Sequence, residues 1–281
     1  MTQFFFEDES VQNTAQNHID QILALEQRES ERIIKLYRKV RHELRDRLEY
    51  APKGTFTEEK LRGTLAQVEL AIDAMSKNLT KGISDSSDLA AEKGIDHLIT
   101  EINKYNKIFK GSFIPINLDA AVVASDTDNL LFNRYKTSID AYSGAIRSRI
   151  AQGLTEAVVQ QLTLDEVVGS IGRTFQGEEW KLLQISRTEL HNVYSQGKLR
   201  GMSDLWGEGK GDIPDLKKTL FHPMDLRTGS DSKRLAQNNP IVDIDEPFIE
   251  DSTGKKLTYM APPNRPNDRA ILIPYREEWK K

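Results

Sequence analysis

The chain has 281 residues, a formal charge of −4 and 29% charged residues. That is long enough for one large or two modest domains with real cores, and too evenly balanced for an overall nucleic-acid or anionic-membrane footprint. The absence of cysteine excludes disulfides, cysteine-ligated zinc, iron–sulfur clusters and thiol nucleophiles.

The opening MTQFFFEDES has no basic n-region and turns acidic after its apolar FFF, unlike a secretion signal. Nowhere do eighteen apolar residues run together, the length a membrane-spanning helix needs. From about residue 10 to 50, Val11, Ala15, Ile19, Ile22, Leu23, Ile33, Ile34, Tyr37, Val40, Leu44 and Leu48 keep a helical period among dense charges. One apolar stripe on so charged a helix packs against another helix or a partner. APKGT at 51–55 breaks it. A second helix is expected over about 57–80. A third should run to about Phe109 from the SDSSD cluster at 84–88, whose side chains can cap backbone donors.

The Gly- and Pro-containing segment 111–126 reads as a short strand or connector at a domain boundary. Helices are then expected at about 127–151, with Leu130, Leu131, Tyr135, Ile139, Ala145 and Ile146 inward, and at about 154–162. Thr163 and Glu166 form a capping box that opens another. A longer helix should cover about 178–206, with Leu182, Ile185, Glu189 and Val193 on one side. From GEGKGDIPD (207–215) onward Gly, Pro, Asp and Asn multiply, and KKTLFHP, PIVDIDEPFI, KKLTYMA and RAILIPY read as strands. Such a thin β element must pack on the preceding helices. The expected fold is therefore α+β, mostly α. It comprises an N-terminal helical hairpin or bundle (1–112), a second helical part (113–206) and a small loop-rich β element (207–281).

GEGKGD at 207–212 follows a helix, lacks the Gly-Lys-Ser/Thr ending and reads as a flexible turn with Gly207 as a helix C-cap. No GxSxG elbow or HExxH helix is present, and Ser186, Ser195 and Ser232 have no base at informative spacing. His191 and Glu189 fall on different faces of one helix, which disfavours a metal site from that helix alone. His222, Asp225, Asp231, Asp243, Asp245 and Glu246 could assemble a cation site, but acidic turn residues are ordinary. In the clusters 222–234 and 262–269, Asp225, Arg227, Asp231, Arg265, Asp268 and Arg269 offer directional Arg–carboxylate matches between loops. Prolines lower the entropy these loops lose on ordering. The stretch APPNRPNDR is therefore expected to be a structural clip, holding the last strand against the Asp225–Asp231 turn.

The same residues carry a resemblance. SRTELHNVYSQGKLRG (186–201), HPMDLRTGSDS (222–232), PIVDIDEPF (240–248) and the closing segment 257–275, in that order, resemble the Mu F-like minor head (head morphogenesis) proteins of tailed phages over about residues 125–281. In that family an Arg-Thr-Glu helix precedes a D-x-R motif, an acidic-Pro-Phe strand and a Pro-rich end. Arg187, Thr188, Glu189, Gly197, Asp225, Arg227, Asp245, Glu246, Pro247 and Phe248 occupy those places here. The histidine after D-x-R and the Asn-Cys-Arg-Cys-like finish of many relatives are replaced by DSKRLAQNN and RAILIPYRE, so no metal role carries over.

The resemblance implies a virion protein of the portal vertex or capsid interior, made with the head in the host cytoplasm and sometimes delivered with DNA. Its expected partners are the portal protein and other head proteins, major capsid or scaffold, met by the charged N-terminal helices. No catalytic residue, cofactor or membrane is implied. The enzyme alternative is a metal-dependent hydrolase or nuclease using Asp225, Asp231, Glu246 and His222. A DNA-binding reading needs a basic face from Arg38, Lys39, Arg41, Arg45 and Arg47, a cluster interleaved with Glu43, Asp46 and Glu49 as in a solvated helix.

Overall fold

The computed structural model describes residues 5, 7–49, 57–112, 114–116, 118–206, 213–223, 240–252, 255–263, 265 and 268–279. Among these, four long helices precede a small β region: α1 (Glu9–Glu49), α2 (Glu58–Phe109), α3 (Ala120–Val159) and α4 (Leu164–Leu205). The strands are β1 (Leu216–Phe221), β2 (Ile241–Asp243), β3 (Phe248–Ser252), β4 (Lys255–Tyr259) and β5 (Ile271–Arg276), with a closing 3-10 turn at Glu277–Trp279. The protein is thus α+β and mostly α, with a helical N-terminal part, a second helical part and a small β element.

The helix boundaries follow local chemistry. Asp8 accepts the Ser10 N–H at 2.9 Å to open α1, and Asp119 accepts the Ala121 N–H at 3.1 Å to open α3. The expected capping box opens α4: Glu166 Oε2 accepts the Thr163 N–H at 2.8 Å and Thr163 Oγ1 accepts the Glu166 N–H at 3.4 Å. Lys110 and Gln161 take the left-handed conformation, with φ of 54° and 52°. The Gly111 and Leu162 N–H groups then reach back to the Asn106 and Ala157 carbonyls at 2.9 and 3.0 Å, closing α2 and α3.

Three expected breaks are absent. The SDSSD cluster lies inside α2, with Ser86 and Ser87 fully buried, because Ile83, Ala90 and Ala91 continue the apolar stripe through it. The helices expected at 127–151 and 154–162 are one, α3, which already begins at Ala120 within the supposed connector. Gly169, Gly172 and Gly177 do not interrupt α4. Each glycine costs about 1 kcal/mol in a helix interior, and the buried Val167, Ile171, Phe175 and Leu182 hold the helix through them. Ala145, expected inward, is exposed.

The chain forms two compact units, residues 1–27, 86–131 and 187–281 in the first, and 28–85 and 132–186 in the second. Each long helix contributes a segment to both. In the second unit Ile33, Tyr37, Ile72, Met75, Ile139 and Phe175 are among the buried residues. The Tyr37 hydroxyl donates to the Phe175 carbonyl at 2.7 Å.

In the first unit helices and sheet share one core, in which Ile19, Ile95, Leu98 and Val193 meet Leu216, Ile271 and Ile273. The sheet order is β2-β1-β5, all antiparallel, with Thr219 opposite Ile241 and Ile273. Pro274 lies in β5, the outer strand of this order, where a missing N–H is tolerated. β3 and β4 pair separately, Phe248 opposite Tyr259. Phe5, from the N-terminal FFF, stacks on Trp279 at 5.9 Å and meets Tyr105 and Tyr275 edge-on at 5.4 and 5.3 Å.

Candidate functional site

Within the first unit, α1, α4 and the segment before β5 enclose a concavity of about 400 Å3. Arg187, Thr188 and His191 fall on one face of α4, three and four residues apart. Leu23, Glu26 and Gln27 come from α1, and Asp268 and Arg269 from the PPNRPNDR stretch. Four residues of the motif set, Arg187, Thr188, Asp268 and Arg269, therefore surround one space. Arg187 donates to Gln27 Oε1. Asp268 Oδ1 accepts the Ala270 N–H at 3.1 Å and so shapes the entry to β5.

At the floor, His191 Nδ1 lies 2.7 Å from Glu26 Oε1 and Nε2 lies 2.7 Å from the Ala270 carbonyl. Both partners are acceptors, so the ring carries two protons. Burial opposes that charge, yet the Glu26 carboxylate, the Ala270 carbonyl and more distant Asp268 outweigh it and raise the His191 pKa above 6.5. A doubly protonated ring has no lone pair with which to take a proton. Thr188 is the one hydroxyl among the lining residues. The concavity thus presents the Arg187 and Arg269 guanidinium groups beside the Glu26 and Asp268 carboxylates.

The remaining motif residues have other surroundings. A Cβ on Gly197 would meet the Ala91 backbone at 2.9 Å, and one on Gly94 the Tyr194 carbonyl at 2.3 Å, so these glycines let α2 and α4 approach closely. Glu189 is buried. Asp245 and Glu246 are exposed in the turn after β2, and Phe248 is fully buried. Beneath that turn Lys218 donates to the Ile244 and Met260 carbonyls at 2.9 and 3.1 Å and lies 5.3 Å from the Phe248 ring centroid. Burial pushes its pKa down to about 8 against the opposing pull of Asp245 and Glu246.

Arg265 reaches Glu250 at 3.3 Å, a carboxylate whose side chain is 0% exposed. The expected partners Asp225, Arg227 and Asp231, together with Ser232, Arg234 and the 207–212 turn with Gly207, lie outside the described residues. His222 is buried, and its Nε2 has no hydrogen-bond partner among the described residues. Burial lowers its pKa, with Asp268 opposing and Arg265 adding to the shift.

A second buried network in the same unit had no sequence signal beyond charge on an apolar stripe. Glu101 Oε1 accepts from Lys198 Nζ at 2.6 Å and lies 2.7 Å from His18 Nδ1. The His18 and His97 rings stack at 3.7 Å, and the Tyr194 hydroxyl lies 2.9 Å from His97 Nδ1. Burial, then the charges of His18 and Lys198, push the His97 pKa down to about 2. Burial also lowers the Lys198 pKa, against the attraction of Glu101.

Ser186 bonds to Ser30 at 3.0 Å, and Ser195 Oγ is buried without a partner among the described residues. Among the described residues no three His, Cys, Asp or Glu side chains are grouped to hold a metal. No described helix is long and apolar enough to cross a membrane.

These features define a mostly helical α+β protein with a mixed-charge concavity in its first unit. No family model, curated protein or solved structure matches the chain.

Proposed function

We propose that this protein is a minor capsid, or head morphogenesis, protein of a tailed phage, a structural component of the portal vertex or capsid interior. The observation that carries the proposal is the concavity itself. Arg187 and Thr188 of the Arg-Thr-Glu helix and Asp268 and Arg269 of the Pro-rich end, the two outer segments of the ordered resemblance, border a single space. Its basic side His191 is locked between two acceptors, which favours binding over turnover. Its partners would be the portal protein and other head proteins, whose polar segments can match the paired guanidinium and carboxylate groups.

Quantitative mass spectrometry of heads from the phage encoding this chain, before and after triggered DNA ejection, tests the reading. A fixed low ratio to portal that survives ejection supports a place at the vertex, and loss on ejection supports delivery with DNA. Absence from heads overturns the proposal.

A further inference from the structure

In the first unit β3 and β4 form a two-stranded sheet of their own. Ser252 stands opposite Lys255 across a two-residue connection, and a pair in that position exchanges both of its backbone bonds. By alternation the bonded pairs are Ser252–Lys255, Glu250–Leu257 and Phe248–Tyr259. The N–H and C=O groups of Ile249 and Asp251 therefore point away from β4, along the outer edge of β3. Among the described residues neither makes a further backbone bond. The Ile249 side chain beside that edge is 55% exposed.

An unpaired edge is a template for another strand. The two edges of this hairpin differ. β4 reads KKLTY, and lysine on an edge strand opposes pairing. β3 reads FIEDS and has no lysine. Immediately before β3, Asp245 and Glu246 are exposed. The cations of this region pair elsewhere: Lys217 with Asp243 and Glu277, and Arg265 with Glu250. Lys218, on which Asp245 and Glu246 act from a distance, is buried and donates to the Ile244 and Met260 carbonyls. The free edge of β3 thus begins at a pair of exposed carboxylates.

We propose that the outer edge of β3 receives an extended, basic segment of a partner protein as an added strand. Ile249 and Asp251 exchange backbone bonds with it. An apolar side chain of the segment packs on Ile249, and lysine or arginine at its end meets Asp245 and Glu246. Pro247, which has no N–H, ends the run of edge donors. The proposal rests on this hairpin alone and stands apart from the reading of the α1–α4 concavity.

The test titrates the full chain, by fluorescence anisotropy, with a labelled peptide of alternating valine and threonine that carries paired lysines at each end. Saturable binding is expected, weakened about tenfold when alternate peptide nitrogens are methylated and about tenfold when glutamate replaces the lysines. Ile249→Pro removes an edge donor and keeps every bonded pair of the hairpin, and Ile249→Lys places a guard on the edge without touching the backbone. Each should weaken binding about tenfold, whereas Thr258→Pro, on the opposite edge, should leave it unchanged. Circular dichroism of each variant checks the fold. Absence of binding, equal binding of the methylated peptide, or indifference to both Ile249 variants overturns the proposal. So does self-association in sedimentation equilibrium that Ile249→Pro abolishes, since the edge then belongs to a second copy of this chain.

Discussion

Glu26 and His191 stand 165 residues apart in sequence and meet at 2.7 Å in the interior of the first unit. Because Nε2 of the same ring faces the Ala270 carbonyl, one imidazolium ties α1, α4 and the entry to β5 together. Removing the carboxylate would leave that charge buried without its partner. Glu26→Gln is therefore expected to cost about 3 kcal/mol, read from denaturant or thermal melts. A wild-type melting curve for the variant would refute the clamp.

The clamp also sets a pH dependence. The His191 pKa is raised above its ordinary 6.5 in the folded chain. Its stabilisation is thus fully present below that value and is lost as pH rises through the raised folded value. The Tm gap between wild type and His191→Gln should be widest under mildly acid conditions and narrow as the solution is made alkaline. A gap that widened toward alkaline pH would mean that the ring is neutral when folded.

Gly94 and Gly197 give a steric prediction. Alanine at Gly94 would bring its Cβ to 2.3 Å from the Tyr194 carbonyl oxygen, a backbone atom that cannot turn aside. Overpacking of this kind costs about 1–3 kcal/mol. Gly144→Ala on α3, where a Cβ meets nothing, should stabilise by about 1 kcal/mol. Equal melts for these two variants would count against the close α2–α4 approach.

The junction between α3 and α4 carries effects of opposite sign. Thr163→Ala removes the reciprocal cap with Glu166 and should cost about 1 kcal/mol. Gln161→Gly relieves a left-handed residue with φ of 52°. Offset by the looser unfolded chain, it should gain about 0.5 kcal/mol. Chemical denaturation of both variants, scored by the sign of the midpoint shift, checks the pair.

Arg265 and Glu250 test the clip. Glu250 has a fully buried side chain and Arg265 is 32% exposed, so Arg265→Glu should destabilise by about 2 kcal/mol, between the values for surface and buried pairs. Unchanged stability in that variant would remove the structural role of the proline-rich stretch.

Local features of the fold were legible in sequence. The α1 stripe from Val11 to Leu44 is buried, with Leu23 only partly so, and the Thr163 cap and the strand positions of β1, β4 and β5 follow from neighbours within a few residues. The serines of 84–88 misled because a buried Ser86 or Ser87 has the same composition as a cap. Only residues brought in from elsewhere in the chain distinguish the two. The site was legible as an inventory and not as an arrangement. Arg187 stood out through the resemblance and Asp268 and Arg269 through the Arg–carboxylate clusters, whereas Glu26 was one of the dense charges beside the α1 stripe. Its partner is supplied by tertiary structure. Lys198 and Glu101, both wholly buried, were hidden for the same reason.

The discontinuity of the first unit has a consequence for biosynthesis. At ribosomal speeds of about 5–20 residues per second, Glu26 emerges roughly 10–30 s before His191, so residues 1–27 spend that interval without the helix and strands that cover them. Val11, Ala15, Ile19 and Ile22 are wholly buried in the finished unit, and until α4 and the strands are made their apolar stripe has only the α2 part of its core cluster to pack against. Such a nascent chain is a natural client for holdase chaperones, and its yield should depend more on elongation rate and chaperone supply than its final stability would suggest.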